Sequence, residues 1–293
     1  MATRRRPALK PWNWGFITPL LVVLVATTIV PLVYTVALSL TESNDALTPA
    51  PTGIQNYQSV FTDSAIWTAL ALAAVFLVGA LALELGLGIV TALILDHFVP
   101  RANVLRVVLL WPAVLPPIAV ALVFKYILQG DIGMVSHYLD LWFGYQQEWL
   151  TQPVSAMAVI IAIDVWQYTP LVILLTLAAL KTVPEEVFEA SALDGAGTVR
   201  TAWNVVLPIM QPALISVALL RFIDAIQVFP TIYALTRGGP GSSTALLTYY
   251  NFQVFFGQLR FGDGAAISVF VVAFTIACVL LLMQWQRRAE DLA

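Results

Sequence analysis

The chain has 293 residues, 60% of them hydrophobic and only 11% charged, with a formal net charge of −3. That balance excludes an ordinary soluble domain and a disordered chain, both of which carry far less apolar and more polar sequence. The single cysteine, Cys278, excludes an intrachain disulfide and a cysteine-built metal site.

Residues 1–13 are basic, with Arg4, Arg5, Arg6 and Lys10. The apolar run that follows, 14–40, exceeds the roughly 7–15 apolar residues of a signal peptide and has no small-x-small cleavage site. It reads as a signal anchor and first transmembrane helix. A hydrocarbon core of about 30 Å takes about 20 helical residues. Five further runs are of that order: 66–95, 104–128, 153–180, 209–235 and 264–285. In the third, Trp111-Pro112 and Pro116-Pro117 predict bends, because proline lacks a backbone donor and crowds the preceding turn. Residues 245–257, inside the long segment 236–263, are aromatic-rich but too short to span. They predict an interfacial or protein-packed helix. The expected fold class is an all-α polytopic membrane protein with six transmembrane helices in residues 14–285, a tail at 286–293 and both ends on one side.

Between the fourth and fifth runs lies a polar-tolerant loop, 181–208. Thr182 and Glu185 have capping-box spacing, with Pro184 tolerated in the first turn. A short helix to about Leu193 is predicted, broken at Asp194-Gly195 because glycine takes positive φ freely. A second helix, 198–206, is expected to end at Leu207-Pro208. Glu185, Glu186, Glu189 and Asp194 make the first helix acidic. The small residues Ala190, Ser191, Ala192 and Ala196 allow another protein to approach the backbone closely. The bland reading is an ordinary loop with two helical turns.

Orientation follows from the basic residues. Of the 14 lysines and arginines, Arg4, Arg5, Arg6, Lys10, Arg101, Arg106, Lys181, Arg200, Arg287 and Arg288 fall on one set of segments. Only Arg237 and Arg260 lie on the opposite set. Positive residues favour the cytoplasm, which places both termini and the 181–208 loop there.

Five ionisable residues fall inside apolar runs: Glu84, Lys125, Asp164, Arg221 and Asp224. A charge in hydrocarbon is costly, so each is expected to face the bundle, a partner or water. Lys125 is expected to snorkel to the outer interface. Glu84 is read as an interhelical hydrogen-bonding group, and Asp164 is left open between structure and function. Arg221 and Asp224, three apart on one helix, can pair directly, either as a packing salt bridge or as a polar patch on a translocation path. Asp224, Gln227 and Thr231 are spaced by three and four and share a helix face. With Arg221 they predict a polar stripe, with Phe229 and Tyr233 nearby.

The loop residues carry a family resemblance. Glu189-Ala190-Ser191, then Gly195, then Val205-x-Leu207-Pro208 resembles the cytoplasmic Glu-Ala-Ala loop of permease subunits of ATP-binding-cassette importers. Ser stands for the second Ala and Val for Ile, both conservative in size. Gly53-Ile54-Gln55-Asn56-Tyr57, Trp111-Pro112 through Pro116-Pro117, Val165-Trp166-Gln167-Tyr168-Thr169-Pro170 and Leu235-Thr236-Arg237-Gly238-Gly239-Pro240 resemble further stretches of sugar permeases, in the same order. The similarity spans nearly the whole chain and points to the maltose-type carbohydrate branch, among permeases for disaccharides, polyols and glycerol phosphates.

What the resemblance implies is specific. The fold is that of a type I, maltose-transporter-like permease. The ATPase-coupling loop comprises Glu185, Glu186, Glu189, Ala190, Asp194, Gly195, Ala196, Leu207 and Pro208. The substrate path draws on Arg221, Asp224, Gln227, Thr231 and Tyr233, since the fifth helix of sugar permeases lines the transport cavity. The implied partners are a second homologous permease, two ATPase subunits holding ATP and Mg, an extracytoplasmic solute-binding protein and a sugar. No cofactor is expected on this chain, and the implied location is the inner membrane of a bacterium.

The sequence has no Gly-x4-Gly-Lys-[Ser/Thr] phosphate loop, no His-Glu-x-x-His and no Gly-x-Ser-x-Gly, and His97 and His137 are far apart. An enzyme reading therefore has no constellation to stand on. A secondary transporter is the other alternative, but no internal repeat of the kind such proteins show is visible.

Overall fold

The computed structural model describes residues 11–41, 50–98, 103–130, 132–144 and 148–290. The basic residues Arg4, Arg5, Arg6, Lys10 and Arg101 lie outside them. Helices account for the regular structure of the described residues, with one isolated bridge between Thr41 and Pro51. In chain order they are α1 (Pro11–Leu24), α2 (Val30–Leu38), α3 (Gln55–Thr62), α4 (Ser64–Phe98), α5 (Asn103–Val114), α6 (Pro117–Ile127) and α7 (Met134–Phe143). These are followed by α8 (Pro153–Leu180), α9 (Glu185–Leu193), α10 (Thr198–Thr201), α11 (Leu207–Ala225), α12 (Phe229–Leu235), α13 (Leu247–Phe252) and α14 (Phe261–Glu290).

Five stretches of the described residues are helical, long and apolar enough to cross a membrane: Ile17–Leu38, Ser64–His97, Pro153–Leu180, Thr198–Ala225 and Phe261–Arg288. The third apolar run of the sequence is two shorter helices, α5 and α6. The break has a local cause. Pro116 takes an extended backbone, ψ 127°, and Pro117 opens α6. A residue before proline is pushed out of the helical region, and proline is well suited to a first turn.

Two expectations at the 181–208 loop need correction. Thr182 does not cap α9: its hydroxyl donates to the Ala179 carbonyl at 2.7 Å, and the cap position is Pro184, with no side-chain cap. Nor does Leu207-Pro208 end a helix. The backbone runs from α10 through a π-helical turn, Ala202–Val206, directly into α11. Pro208 follows this π-turn directly, where the regular i→i−4 bonding is already interrupted.

The fold comprises two compact units. One holds the chain up to Asp63 with Asn251–Phe270. In it Asn56 is buried and donates to the Ser39 and Thr41 carbonyls at 2.9 and 2.6 Å, so the Asn56-Tyr57 pair serves a turn-tying role. Residues 245–257 form the expected short helix, α13 followed by a π-turn. The second unit holds Ser64–Tyr250 and the chain from Val271. Its centre is α4 against α8. Gly88 lets the two backbones close in: a Cβ there would meet Val172 Cγ1 at 2.5 Å. Small residues at membrane helix contacts permit this approach, where packing rather than water exclusion drives association. Ala92, Leu177, Leu180, Val183, Val206 and Met210 form a buried cluster that joins the bundle to the loop.

Candidate functional site

The loop is a two-helix elbow built by its own hydrogen bonds. Gly195 has φ +72°. Its N–H donates to the Ala192 carbonyl at 3.1 Å, while the Ala196 N–H reaches back to the Ser191 carbonyl at 3.0 Å. This pair of bonds, with glycine in the left-handed region, closes the end of α9 as a Schellman turn. Glu185, Glu186, Glu189, Ala190, Asp194 and Pro208 are exposed, and Ala196 and Leu207 are half-buried. Ser191 is not on the open face: it is buried and donates to the Val187 carbonyl at 2.8 Å. Sequence reasoning missed the apolar tip. Leu193 is 90% exposed, Val199 73% and Trp203 61%. Clustered exposed apolar groups of this size mark an interaction surface. The signal was available, since Leu193, Val199 and Trp203 are large apolar residues next to the polar Asp194–Thr198 turn and the short second helix.

The elbow is the start of a long rod. Thr198–Ala225 is one 28-residue helix, about 42 Å at 1.5 Å per residue. On it, thirteen residues beyond Pro208, stands Arg221, whose side chain is fully enclosed. Its Nε donates to Glu84 Oε2 at 2.7 Å and its Nη2 to Glu84 Oε1 at 3.0 Å, a bidentate pair. Nη2 also reaches Asp164 Oδ2 at 3.2 Å, and Nη1 donates to Asp224 Oδ2. The ring of Tyr168 lies 4.0 Å from the guanidinium carbon. Three helices distant in sequence thus converge on one cation.

Their depths agree. The ends of α4 and α8 near the elbow are tied by a Lys181–Asp96 ion pair at 2.9 Å. Glu84 is fourteen residues before the end of α4, Asp164 sixteen before the end of α8, and Arg221 thirteen beyond Pro208. At the helical rise these offsets are about 20–24 Å, past the midpoint of a hydrocarbon core of about 30 Å. Charges there need partners that satisfy their hydrogen bonds, and a bidentate arginine–carboxylate pair is among the strongest arrangements available.

The predicted polar stripe does not form as one face of one helix. α11 ends at Ala225, residues 226–228 turn, and α12 begins at Phe229. The spacing rule for a shared face fails across that joint. Asp224, Gln227 and Tyr233 are exposed, whereas Arg221 and Thr231 are buried. Phe229 packs between Tyr233 and Tyr249, with ring centroids 5.6 and 6.2 Å away. Lys125 sets its Nζ on the Ala234 carbonyl at 3.5 Å, next to the last residue of α12. The structure brings Arg221 and Asp224 together, as their spacing suggested, and adds Glu84, Asp164 and Tyr168. The sequence signal for these was the cost of unpaired charge in hydrocarbon, which demands that Glu84 and Asp164 find a cation.

Comparison with known proteins agrees with this architecture. Residues 84–291 match the family described as binding-protein-dependent transport system inner membrane component. The trehalose/maltose transport system permease protein MalF of Thermococcus litoralis is 34% identical over 276 residues, covering 94% of this chain and 93% of that protein. The trehalose transport system permease protein SugA of Mycobacterium tuberculosis is 31% identical over 273 residues, covering 92% and 86%. Among solved structures, a chain of a bacterial ABC transporter involved in the import of the acidic polysaccharide alginate superposes with a TM-score of 0.83 at 18% identity, covering 94% of this chain and 95% of that one. That likeness is one of fold.

Proposed function

The chain belongs to the family of binding-protein-dependent transport system inner membrane components, and we propose that within it this protein forms one half of the translocation path of an ATP-driven sugar importer. The second half is a homologous permease. Two ATPase subunits bind ATP and Mg and dock on the elbow, and an extracytoplasmic solute-binding protein delivers the solute. The trehalose and maltose names of the relatives support a neutral sugar as cargo. Both termini and the elbow lie on the cytoplasmic side, in accord with the distribution of basic residues.

The observation that carries this reading is the unbroken helix from Thr198 to Ala225. One end begins at the exposed elbow and the other holds Arg221 and Asp224. This continuous helical run, with its π-turn at Ala202–Val206, couples motion of Glu185, Glu186, Glu189, Ala190, Asp194, Gly195 and Ala196 to motion of the path residues. Leu207 and Pro208 lie within the rod and transmit the force. Asp224, Gln227 and Tyr233 supply polar and aromatic groups to the path. Arg221 holds Asp224 in place, and Thr231 is buried on α12. Nucleotide binding biases the inward- and outward-facing packings through its different affinity for the two.

Crosslinking tests the docking. A Glu189→Cys chain in a Cys278→Ala background, paired with single cysteines along the ATPase surface, is expected to give a disulfide whose yield changes with ATP. Absence of any crosslink across the ATPase surface contradicts docking at the elbow.

A further inference from the structure

We propose that the path beside Asp224 is charge-selective: it accepts neutral or cationic polyhydroxylated solutes and rejects anionic ones such as sugar phosphates. The inference rests on the path reading above and adds a physical basis for rejecting anions.

A guanidinium has five N–H donors. Four hydrogen bonds from Arg221 are directed at Glu84, Asp164 and Asp224, and the Tyr168 ring covers the group at 4.0 Å. Its side chain has no exposed surface. A phosphate, sulfonate or carboxylate on a solute therefore cannot reach it. The usual device for binding such anions is a free arginine fork, and here the fork is already filled by the protein's own carboxylates.

Asp224 is the opposite case. Its side chain is 50% exposed. Arg221 holds Oδ2, and Oδ1 receives no hydrogen bond from the described residues. The solute-facing group of the cluster is thus an acceptor, oriented by a buried cation, and matched to the O–H donors of a sugar. Behind it, three carboxyl groups surround one guanidinium, which biases the local field negative. Two other basic side chains of this unit, Lys125 and Arg237, stand at the end of α12. Lys125 is ten residues beyond the α5–α6 break and sits on the Ala234 carbonyl, and Arg237 follows the end of α12. An anion passing Asp224 meets a carboxylate, a repulsion that added salt screens.

The test measures the field directly and needs no knowledge of the cargo. Gln227 is exposed and three residues beyond Asp224, with its backbone N–H on the Asp224 carbonyl at 3.0 Å. The assembled transporter in nanodiscs, carrying Gln227→Cys and Cys278→Ala, is reacted with a cationic methanethiosulfonate (ethyltrimethylammonium) and an anionic one (ethylsulfonate), with and without ATP. Each rate is divided by that of a small free thiol. We expect the cationic reagent to be favoured by about tenfold. The preference should shrink several-fold on Asp224→Asn and at molar salt. A ratio at or below one in the Asp224 protein overturns the proposal. Absence of reaction with either reagent in every nucleotide state overturns the path reading, and the proposal falls with it.

Discussion

Gln167 Nε2 donates to the carbonyl oxygen of Leu115 at 2.8 Å, across fifty-two residues of chain. The break before Pro116 frees that carbonyl, because the N–H groups of Ala119 and Val120 both go to Pro116 instead. Gln167 is almost wholly buried. One side chain on α8 therefore satisfies a backbone group that the prolines leave open, as irregular backbone at membrane depth requires. Gln167→Leu keeps the volume and removes the donor. It is expected to destabilise the protein by about 1–3 kcal/mol, the cost of a stranded buried acceptor. Thermal unfolding of the purified complex checks this, and an unchanged midpoint contradicts it.

The Arg221 network predicts a sharp asymmetry. Arg221→Met leaves Glu84 enclosed without a cation, and breaking a buried pair this way costs about 3–5 kcal/mol. Adding Glu84→Gln removes most of the stranded charge and should restore much of the loss, because the two sites are in contact and do not add. The readout is the yield and unfolding temperature of the assembled transporter. If the double variant is as damaged as the sum of the two singles, the residues are not coupled as the geometry requires.

Close approach of α4 and α8 gives a third test. Gly88→Ala places a methyl carbon about where Val172 Cγ1 already sits, at 2.5 Å. Overpacking of a tight contact costs about 1–3 kcal/mol. Val172→Ala in the same chain removes Cγ1 but leaves Cβ 2.8 Å from the new methyl, so it should recover part of that loss. Lack of recovery would mean that the strain lies elsewhere.

At the elbow, Gly195→Val forces a β-branched residue to φ +72°. No neighbouring atom lies within 4 Å of a Cβ there, so any effect comes from the backbone. The left-handed conformation costs about 1–2 kcal/mol for an ordinary residue and more for a β-branched one. The expected phenotype is a folded bundle with reduced transport-linked ATP hydrolysis. Gly195→Asn, which tolerates positive φ, should retain more of it. Equal activity in both variants and the unaltered protein would show that the turn is not required.

Much of this was legible in the sequence, for identifiable reasons. Spans announce themselves through uninterrupted apolar length, and Gly195 through the need for positive φ. The Arg221–Asp224 pair followed from helical spacing. Long-range partners did not follow: nothing in the local sequence of Glu84 or Asp164 names Arg221, and only the cost of unpaired charge points to some partner. The stripe through Gln227 and Thr231 was misplaced because periodicity assumes a continuous helix, and α11 stops at Ala225. The capping box at Thr182 lost to a competing bond, its hydroxyl turning back to Ala179.

The central claim is that ATP, acting at the elbow, drives solute through the path. Its most direct test is uptake of radiolabelled trehalose or maltose into vesicles holding the full transporter and supplied with its solute-binding protein. The account predicts accumulation that needs ATP on the elbow side, continues when ion gradients are collapsed, and fails when the vesicles carry Gly195→Val. Accumulation driven by an ion gradient without ATP would contradict it and make the protein a secondary transporter.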